Sequence, residues 1–253
     1  MTEYRDPANP LYKQDKPETQ IIWRYLNFEY FVDLLSTRTL YFSRVDRVGD
    51  DPLEGRITDE TFRALEREFE GVSWGSPAAK DVAMNNHKTL FKSAPFHFFV
   101  NCWHMNDRES MAMWKIYGKK GIAIESTIGN LKKSIRTGAI DYAEVQYITE
   151  TDVIPTYNIK IPFGYKRKSF EYEEEFRAIR YEQPPVINDK IDLLVPNPQE
   201  FLRIPVDIDS LINRVYVFPY AKQGFYDCTK SVMEIYGLAD KISQSNFTIG
   251  LSY

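Results

Sequence analysis

The sequence predicts an α+β fold: a single domain with a mixed or antiparallel, possibly split sheet of about six to eight short strands and interspersed helices. Short apolar runs of strand character recur along the chain, and single amphipathic helices separate most of them. The chain has 253 residues, of which 43% are hydrophobic, and this is enough to build a substantial core.

The composition limits the classes of partner. A net charge of -4 and a pI near 5.6 argue against a globally basic nucleic-acid binder, although a local basic groove stays open. The sequence shows neither a signal-peptide pattern nor an apolar run of transmembrane length, so no membrane partner is expected. Cys102 and Cys228 form no metal-ligand or disulfide pattern. A cytoplasmic protein is therefore expected.

The first part of the chain predicts a flexible N-terminal arm over residues 1–18, followed by one domain over residues 19–253. Residues 20–26 and 39–43 have strand character, and the apolar residues of the helix between them follow helical spacing. Arg24 lies in the first of these strands. A half-buried arginine needs an anionic partner, which is either a carboxylate of the chain or a ligand phosphate or carboxylate.

An acidic turn and two helices follow. The turn, residues 49–55 (GDDPLEG), places three carboxylates close together and is a weak indication of a divalent cation. A helix is predicted at residues 58–70, because Phe62, Leu65 and Phe69 recur at helical spacing, and a second helix at residues 78–91.

The most unusual stretch is residues 96–127, a strand, a helix and a second strand that carry an unusual number of aromatic residues. We expect the helix to begin at Asn106-Asp107 and end near residue 118. Trp103, Trp114 and Tyr117 are expected to be largely buried near Arg24 and Tyr25. Either a rich aromatic core or a ligand pocket explains this composition. Ser126 and Thr127, which end the second strand, suit a helix N-cap or a ligand site.

Residues 165–181 form the second informative stretch, in which a basic run precedes four glutamates. If the chain is extended from Glu173 onward, Glu173, Glu175 and Arg177 share one face. Adjacent carboxylates are costly unless a cation or a proton offsets them. A solvated run of charges is the alternative. Strands at residues 141–148, 201–206 and 213–218, and helices at 207–212 and 220–237, look like scaffold.

Several short motifs together resemble the bacterial and phage domain-of-unknown-function 2971 family, from about Trp23 to the tail. The motifs are Trp23-Arg24-Tyr25, Asp51-Pro52-x-Glu54, Cys102-Trp103-His104-Met105-Asn106, Met113-Trp114-x-x-Tyr117, Gly121-Ile122-Ala123-Ile124 and Lys166-Arg167-x-x-Phe170-x-x-Glu173-x-Glu175-x-Arg177. The family usually has Asn before the Asp-Pro pair, whereas this chain has Asp50.

The order of the polar residues is also similar to the Arg, Ser-Thr, Glu-x-Glu arrangement of ADP-ribosyltransferases, which likewise have a split, mixed sheet. This resemblance implies that NAD is a substrate. It implies that Glu175 and Glu173 are catalytic, with Glu175 stabilising an oxocarbenium-like state and Glu173 acting on the acceptor. It further implies a set of residues that bind NAD: Arg24, Tyr25, Trp103, Trp114, Ser126 and Thr127.

The acceptor of such an enzyme is either a nucleic acid or a protein. Lys166, Arg167 and Arg177 are the predicted substrate-binding residues, and the family setting implies a role in phage defence or as a toxin, with an antitoxin or defence-system partner. On this hypothesis Glu175→Gln abolishes turnover and leaves the fold intact, and Arg24→Ala chiefly weakens NAD binding.

Two other hypotheses stay open. The first is a non-enzymatic module of a defence or prophage locus that binds a ligand or a protein. The second is a metal-dependent nuclease, whose metal ligands would be Asp50, Asp51, Glu54, Glu173 and Glu175. That hypothesis requires carboxylates from distant parts of the chain to converge.

Overall fold

The computed structural model describes residues 15–49, 51–117, 121–245 and 247. Over these residues it contains thirteen strands and seven α-helices, which confirms the predicted α+β class. The strands are β1 (Ile21–Leu26), β2 (Thr39–Arg44), β3 (Phe98–Met105), β4 (Ile122–Thr127), β5 (Ile140–Glu144), β6 (Gln146–Ile148), β7 (Tyr165–Arg167), β8 (Glu175–Tyr181), β9 (Val186–Ile187), β10 (Lys190–Ile191), β11 (Phe201–Pro205), β12 (Arg214–Val217) and β13 (Ile242–Ser243). The helices are α1 (Phe28–Thr37), α2 (Asp59–Glu70), α3 (Pro77–Ser93), α4 (Met111–Ile116), α5 (Ile128–Ser134), α6 (Ile208–Leu211) and α7 (Gln223–Ile235).

The main sheet has nine strands and is mixed. Seven of them follow the order β11-β2-β3-β1-β4-β12-β13, and β8 pairs with β3 and then with β5. Pairing is antiparallel throughout, except that β12 and β13 run parallel. Two short two-stranded sheets, β6 with β7 and β9 with β10, lie outside it.

The sheet is split along one edge of its central strand, β3. Its partner on one edge is β8, which pairs with it from Phe98 to His104. The other edge is shared, because β2 pairs only with Phe99 and Val100, and β1 only with His104 and Met105. Strands β1 and β2 therefore diverge beside residues 101–103, and a gap opens between them.

Apolar side chains cover both faces of the sheet. On one face, the largest buried cluster joins the strands to α1, α5, α6 and α7 through residues such as Phe31, Leu131 and Met233. On the other face, Trp23 and Tyr25 of β1 pack against Met113 and Trp114 of α4. The period-two alternation of side chains along β1 therefore sends its aromatic residues towards α4, and Ile22 towards the large core.

Two element boundaries differ from those predicted. Helix α4 begins at Met111, because the Ser110 hydroxyl accepts a hydrogen bond from the amide of Met113 and caps it; the expected start at Asn106-Asp107 is a turn instead. The single strand predicted at residues 141–148 is broken at Val145, whose amide donates to the carbonyl of Glu175.

The N-terminal arm falls mostly outside the described residues, so the boundary between arm and domain stays a prediction. Of its last residues, Lys16 donates its amide to Glu144, and the Glu18 carbonyl accepts from the amide of Gly129. In the described part of the chain, no helix is long and apolar enough to cross a membrane.

Candidate functional site

A cavity of about 420 Å³ lies where the sheet splits, and we call it the split cavity. Strands β1, β2 and β3, helix α4 and the segment 166–175 supply its walls. Polar and aromatic side chains predominate among the residues that line it: Arg24, Tyr25, Tyr41, Trp103, His104, Tyr117, Lys166, Phe170, Tyr172, Glu173 and Glu175. Because no strand fills the gap, side chains from both faces of the sheet reach this cavity.

Arg24 is a cation that has no carboxylate partner among the described residues. Its Nη1 donates to the carbonyl oxygen of Cys102 at 2.8 Å, and its guanidinium carbon lies 5.9 Å from the centre of the Trp103 ring. Burial lowers the pKa of Arg24 to about 10. No other hydrogen bond from the described residues reaches the guanidinium of Arg24. In the described chain His97 Nδ1 is the one buried side-chain polar atom without a partner, so the other nitrogens of Arg24 are reached by solvent. Arg24 therefore offers open donors and positive charge to an anion.

A network of buried charges lies beside the split cavity, which three of its members line: Lys166, Glu173 and Glu175. Lys166 Nζ contacts Glu173 and lies 2.6 Å from Glu175 Oε1. Arg177 Nε lies 2.6 Å from Glu175 Oε2, and the same guanidinium donates two hydrogen bonds to Glu54, at 2.5 and 3.1 Å. Three carboxylates and two cations leave one net negative charge when all five groups are ionised. We call these five residues the charge cluster.

The surroundings shift the pKa values of Glu173 and Glu175 in opposite directions. Burial alone would raise the pKa of Glu175, but Arg177, a hydrogen bond with Glu173 and the charge of Lys166 hold it well below its usual value. For Glu173, burial comes first, and together with the hydrogen bond and charge of Glu175 it raises the pKa to about 7. Glu175 therefore stays ionised near neutrality, whereas Glu173 can gain or lose a proton there.

Glu173 does not belong to the strand, so the condition under which Glu173, Glu175 and Arg177 would share one face of a strand is not met. Strand β8 begins at Glu175; Glu173 ends a 3₁₀ turn, and Glu174 is left-handed, with φ of 39°. The side chains of Glu173 and Glu175 still converge, but they meet through Lys166 of β7. The basic residue between them was predicted to bind substrate, and its position explains how two close carboxylates are tolerated.

Two residues beside Glu173 hold it in place. The Tyr117 hydroxyl donates to Glu173 Oε1 at 2.7 Å, and His104 Nδ1 lies 2.7 Å from the Glu173 carbonyl oxygen. The prediction that Tyr117 is largely buried was wrong, because 45% of it is exposed at the mouth of the split cavity. Trp103 and Trp114 are buried as predicted.

Three predicted NAD-binding residues do not line the split cavity. Ser126 is fully buried and donates to the carbonyl of Leu211 at 2.5 Å. Thr127 caps α5, where its hydroxyl accepts from the amide of Asn130 at 3.1 Å. Trp114 donates to Glu109 and packs edge-on against Tyr25, behind the wall of the cavity. The structure brings Arg24, Tyr25, Trp103, Glu173 and Glu175 together, but not these three.

Two of the three predicted substrate-binding residues, Arg167 and Arg177, are paired with carboxylates of the chain. Arg167 Nε lies 2.7 Å from Asp51 Oδ1, and Arg177 is inaccessible to solvent inside the charge cluster. Of the three, only Lys166 lines the split cavity.

The carboxylates of the metal hypothesis meet cations instead of forming an open ligand set. Glu54, Glu173 and Glu175 surround Lys166 and Arg177, and Asp51 faces Arg167. Within the described ranges, no group of three or more His, Cys, Asp or Glu side chains could hold a metal ion. Asp50 lies outside those ranges.

Some residues of the site were not predicted from the sequence. Glu54 was considered only as a metal ligand, and its pairing with Arg177 joins parts of the chain that are far apart. Asn101 donates to the Tyr41 carbonyl at 2.8 Å and accepts from Trp103 Nε1 at 2.7 Å, so it braces β2 beside the gap. Phe170, whose ring centre lies 4.9 Å from Lys166 Nζ, was visible only as one position of the glutamate-rich motif.

Comparison with known proteins adds no relative: no family model matches the chain, and neither a curated protein nor a solved structure matches it.

Proposed function

We propose that this protein is an ADP-ribosyltransferase-like enzyme that uses NAD to modify a nucleic-acid or protein acceptor, in phage defence or as a toxin. One observation carries the proposal: Arg24, a cation without a carboxylate partner among the described residues, lines the same cavity as the ionised Glu175 and the titratable Glu173. An anion-binding group and a carboxylate pair are the two parts that such chemistry needs.

The position of Arg24 fits the diphosphate of a dinucleotide. A second cavity, of about 500 Å³, shares Arg24, Tyr25, Tyr41 and Tyr117 with the split cavity. NAD consists of two nucleosides joined by a diphosphate, and Arg24 lines both cavities, where that diphosphate would lie. Guanidinium donors suit phosphate oxygens, and the neighbouring aromatic side chains suit flat rings.

The charge cluster fits the chemical step. Nicotinamide leaves with the electron pair of the glycosidic C–N bond, so positive charge develops on the ribose ring, as in glycoside cleavage. The net negative charge of the cluster stabilises that state. The acceptor oxygen or nitrogen then bonds to the ribose carbon, and its proton passes to Glu173. A carboxylate with a pKa near 7 is well matched to that proton transfer.

A second candidate, a binding module without turnover, is favoured by the completeness of the charge cluster. Glu54, Glu173, Glu175, Lys166 and Arg177 all have partners within the chain, so the cluster needs no ligand to be stable. On this alternative the split cavity binds a nucleotide and nothing is cleaved.

The experiment that separates the two measures NAD binding by calorimetry and nicotinamide release by chromatography, with RNA, DNA and protein supplied in turn as acceptors. The transferase proposal expects both binding and release, and loss of release in Glu173→Gln. The control is Glu182→Gln, because Glu182 likewise pairs with a cation of the chain, Arg180 at 2.8 Å, but does not line the split cavity.

Each outcome decides between the hypotheses. Binding without release, with every acceptor, supports the binding module. If the wild-type protein neither binds NAD nor releases nicotinamide, the transferase proposal is wrong.

A further inference from the structure

We propose that a groove between α2, α3 and the turn 51–57 docks an acidic peptide segment of a partner protein, anchored by a large apolar side chain. The groove has a volume of about 580 Å³ and does not share residues with the split cavity. The inference stands on this groove alone and does not depend on the proposed enzymatic activity.

The floor of the groove is apolar and is packed into the core of the protein. Ile57 and Phe91 are 6% and 2% exposed, and the half-buried Leu53 and Phe62 lie beside them. Ile57 and Phe91 belong to a buried cluster that also contains Ile154 and Ile161, so the floor is an extension of the core. A floor of this kind accepts a leucine or an aromatic side chain from a partner.

The rim of the groove is basic. Arg56 and Lys92 are exposed, and neither has a carboxylate partner among the described residues. Lys88 also lines the groove and is paired with Glu66 at 2.7 Å, while Asp59 is the single carboxylate of the lining. Two unpaired cations beside an apolar floor complement a peptide in which carboxylates flank the apolar anchor.

A peptide fits these features better than a nucleic acid does. A strand of RNA or DNA needs a row of cations along its phosphates and aromatic faces for its bases. Among the described residues, this groove offers two unpaired cations beside a carboxylate, and of its two aromatic side chains Phe91 is buried and Phe62 half-buried. Its chemistry instead matches the helix-in-groove or short-peptide modes of recognition, in which one apolar residue is the anchor.

The test selects binders from a random peptide library displayed on phage, using the whole protein as bait. We expect the enriched peptides to carry several Asp or Glu residues next to Leu, Phe or Trp. Affinity of the best synthetic peptide, measured by fluorescence anisotropy, should fall about tenfold or more in the Arg56→Glu/Lys92→Glu variant, because two attractive ion pairs are replaced by repulsion. It should also weaken as salt rises.

The matched control is Lys80→Glu, which reverses a charge at the other end of the same helix α3 and should leave affinity unchanged. Circular dichroism confirms that each variant folds. The inference is overturned if no peptide is enriched, if the enriched peptides lack acidic residues, or if they bind the double variant equally well. It is also overturned if a single-stranded RNA binds through Arg56 and Lys92 while the peptides do not.

Discussion

The position of Arg24 in the fold costs folding free energy. A guanidinium that is partly removed from water, without a carboxylate partner among the described residues, destabilises the folded state, and the lowered pKa of Arg24 reflects that cost. The hydrogen bond to Cys102 recovers part of it. A residue that lowers stability in the free protein is typical of a binding site, where the ligand supplies the missing charge.

The first prediction follows from this cost. Arg24→Met should raise the free energy of unfolding by about 1 kcal/mol, because removing the desolvated charge outweighs the hydrogen bond lost at Cys102. The same variant should weaken ADP-ribose binding at least tenfold. Urea denaturation and calorimetry measure the two effects, and Arg24→Lys, which keeps the charge, is the control. Lower stability with unchanged affinity would mean that Arg24 is purely structural.

Glu173 gives the second prediction, which concerns pH. Its folded pKa, about 7, lies above its unfolded value, so the folded state binds more protons between these two values. Its contribution to stability is therefore complete below about pH 4.5 and is lost as pH rises through about 7. Relative to Glu173→Gln, which cannot titrate, the wild-type protein should lose at most about 3 kcal/mol over that range.

Urea denaturation of both proteins at a series of pH values measures this difference. A parallel pH dependence of the two proteins would show that Glu173 titrates normally. Glu175 has the opposite effect, because its depressed pKa makes stability fall only in acid, below the pH range over which Glu173 titrates.

The third prediction revises the expectation that Glu175→Gln leaves the fold intact. Glu175 accepts from both Lys166 and Arg177, so a neutral side chain leaves two buried cations short of a partner. We expect a loss of about 3 kcal/mol, which is typical of breaking a buried ion pair from one side. Thermal denaturation against the Glu182→Gln control measures it, and an unchanged melting temperature would contradict the assigned contacts.

At the scale of single elements, local patterns predicted the structure well. Strand β1 and helix α1 were predicted because apolar spacing and turn residues act within a few neighbours. The start of α4 was displaced because two polar positions competed for the cap, and Ser110 forms it. The same physics explains Thr127, which the structure places at the N-cap of α5, whereas a motif resemblance predicts it in the ligand site.

The fourth prediction tests that cap. Thr127→Ala should lower the free energy of unfolding by about 1 kcal/mol, because the amide of Asn130 loses its acceptor. Thr127→Ser, which retains the hydroxyl, should recover most of the loss. NAD or ADP-ribose affinity should not change in either variant. A selective loss of affinity in Thr127→Ala at unchanged stability would restore Thr127 to the binding site.

At the scale of the whole molecule, the site exists because two strands share one edge of β3. No local pattern reveals this, since β1 and β2 each have ordinary strand character and only long-range register decides where they diverge. The convergence of Glu54, Lys166 and Glu175 is likewise long-range, because these residues come from the acidic turn, β7 and β8. The glutamate pair itself was predictable as a site, because its charges were too close to be stable without partners.

Side chains replace the missing backbone pairing at this split. Arg24 extends from β1 to the Cys102 carbonyl, and Asn101 extends from β3 to the Tyr41 carbonyl of β2. These two hydrogen bonds hold β1 and β2 to β3 beside the gap without filling it. A ligand that occupies the split cavity would contact both strands at once.

The last prediction uses this geometry. NAD or ADP-ribose should slow amide hydrogen exchange in peptides that cover β1 and β2, because opening either strand would release the ligand. At a ligand concentration about a hundred times Kd, the slowing reaches roughly a hundredfold for amides whose opening abolishes the site. Mass spectrometry measures it, and the hairpin formed by β9 and β10, which lies outside the main sheet, is the internal control. Arg24→Met should remove the protection in both strands together. Protection of one strand alone, or of the hairpin, would place the ligand outside the split, and the cavity would then be a structural gap between two halves of the sheet.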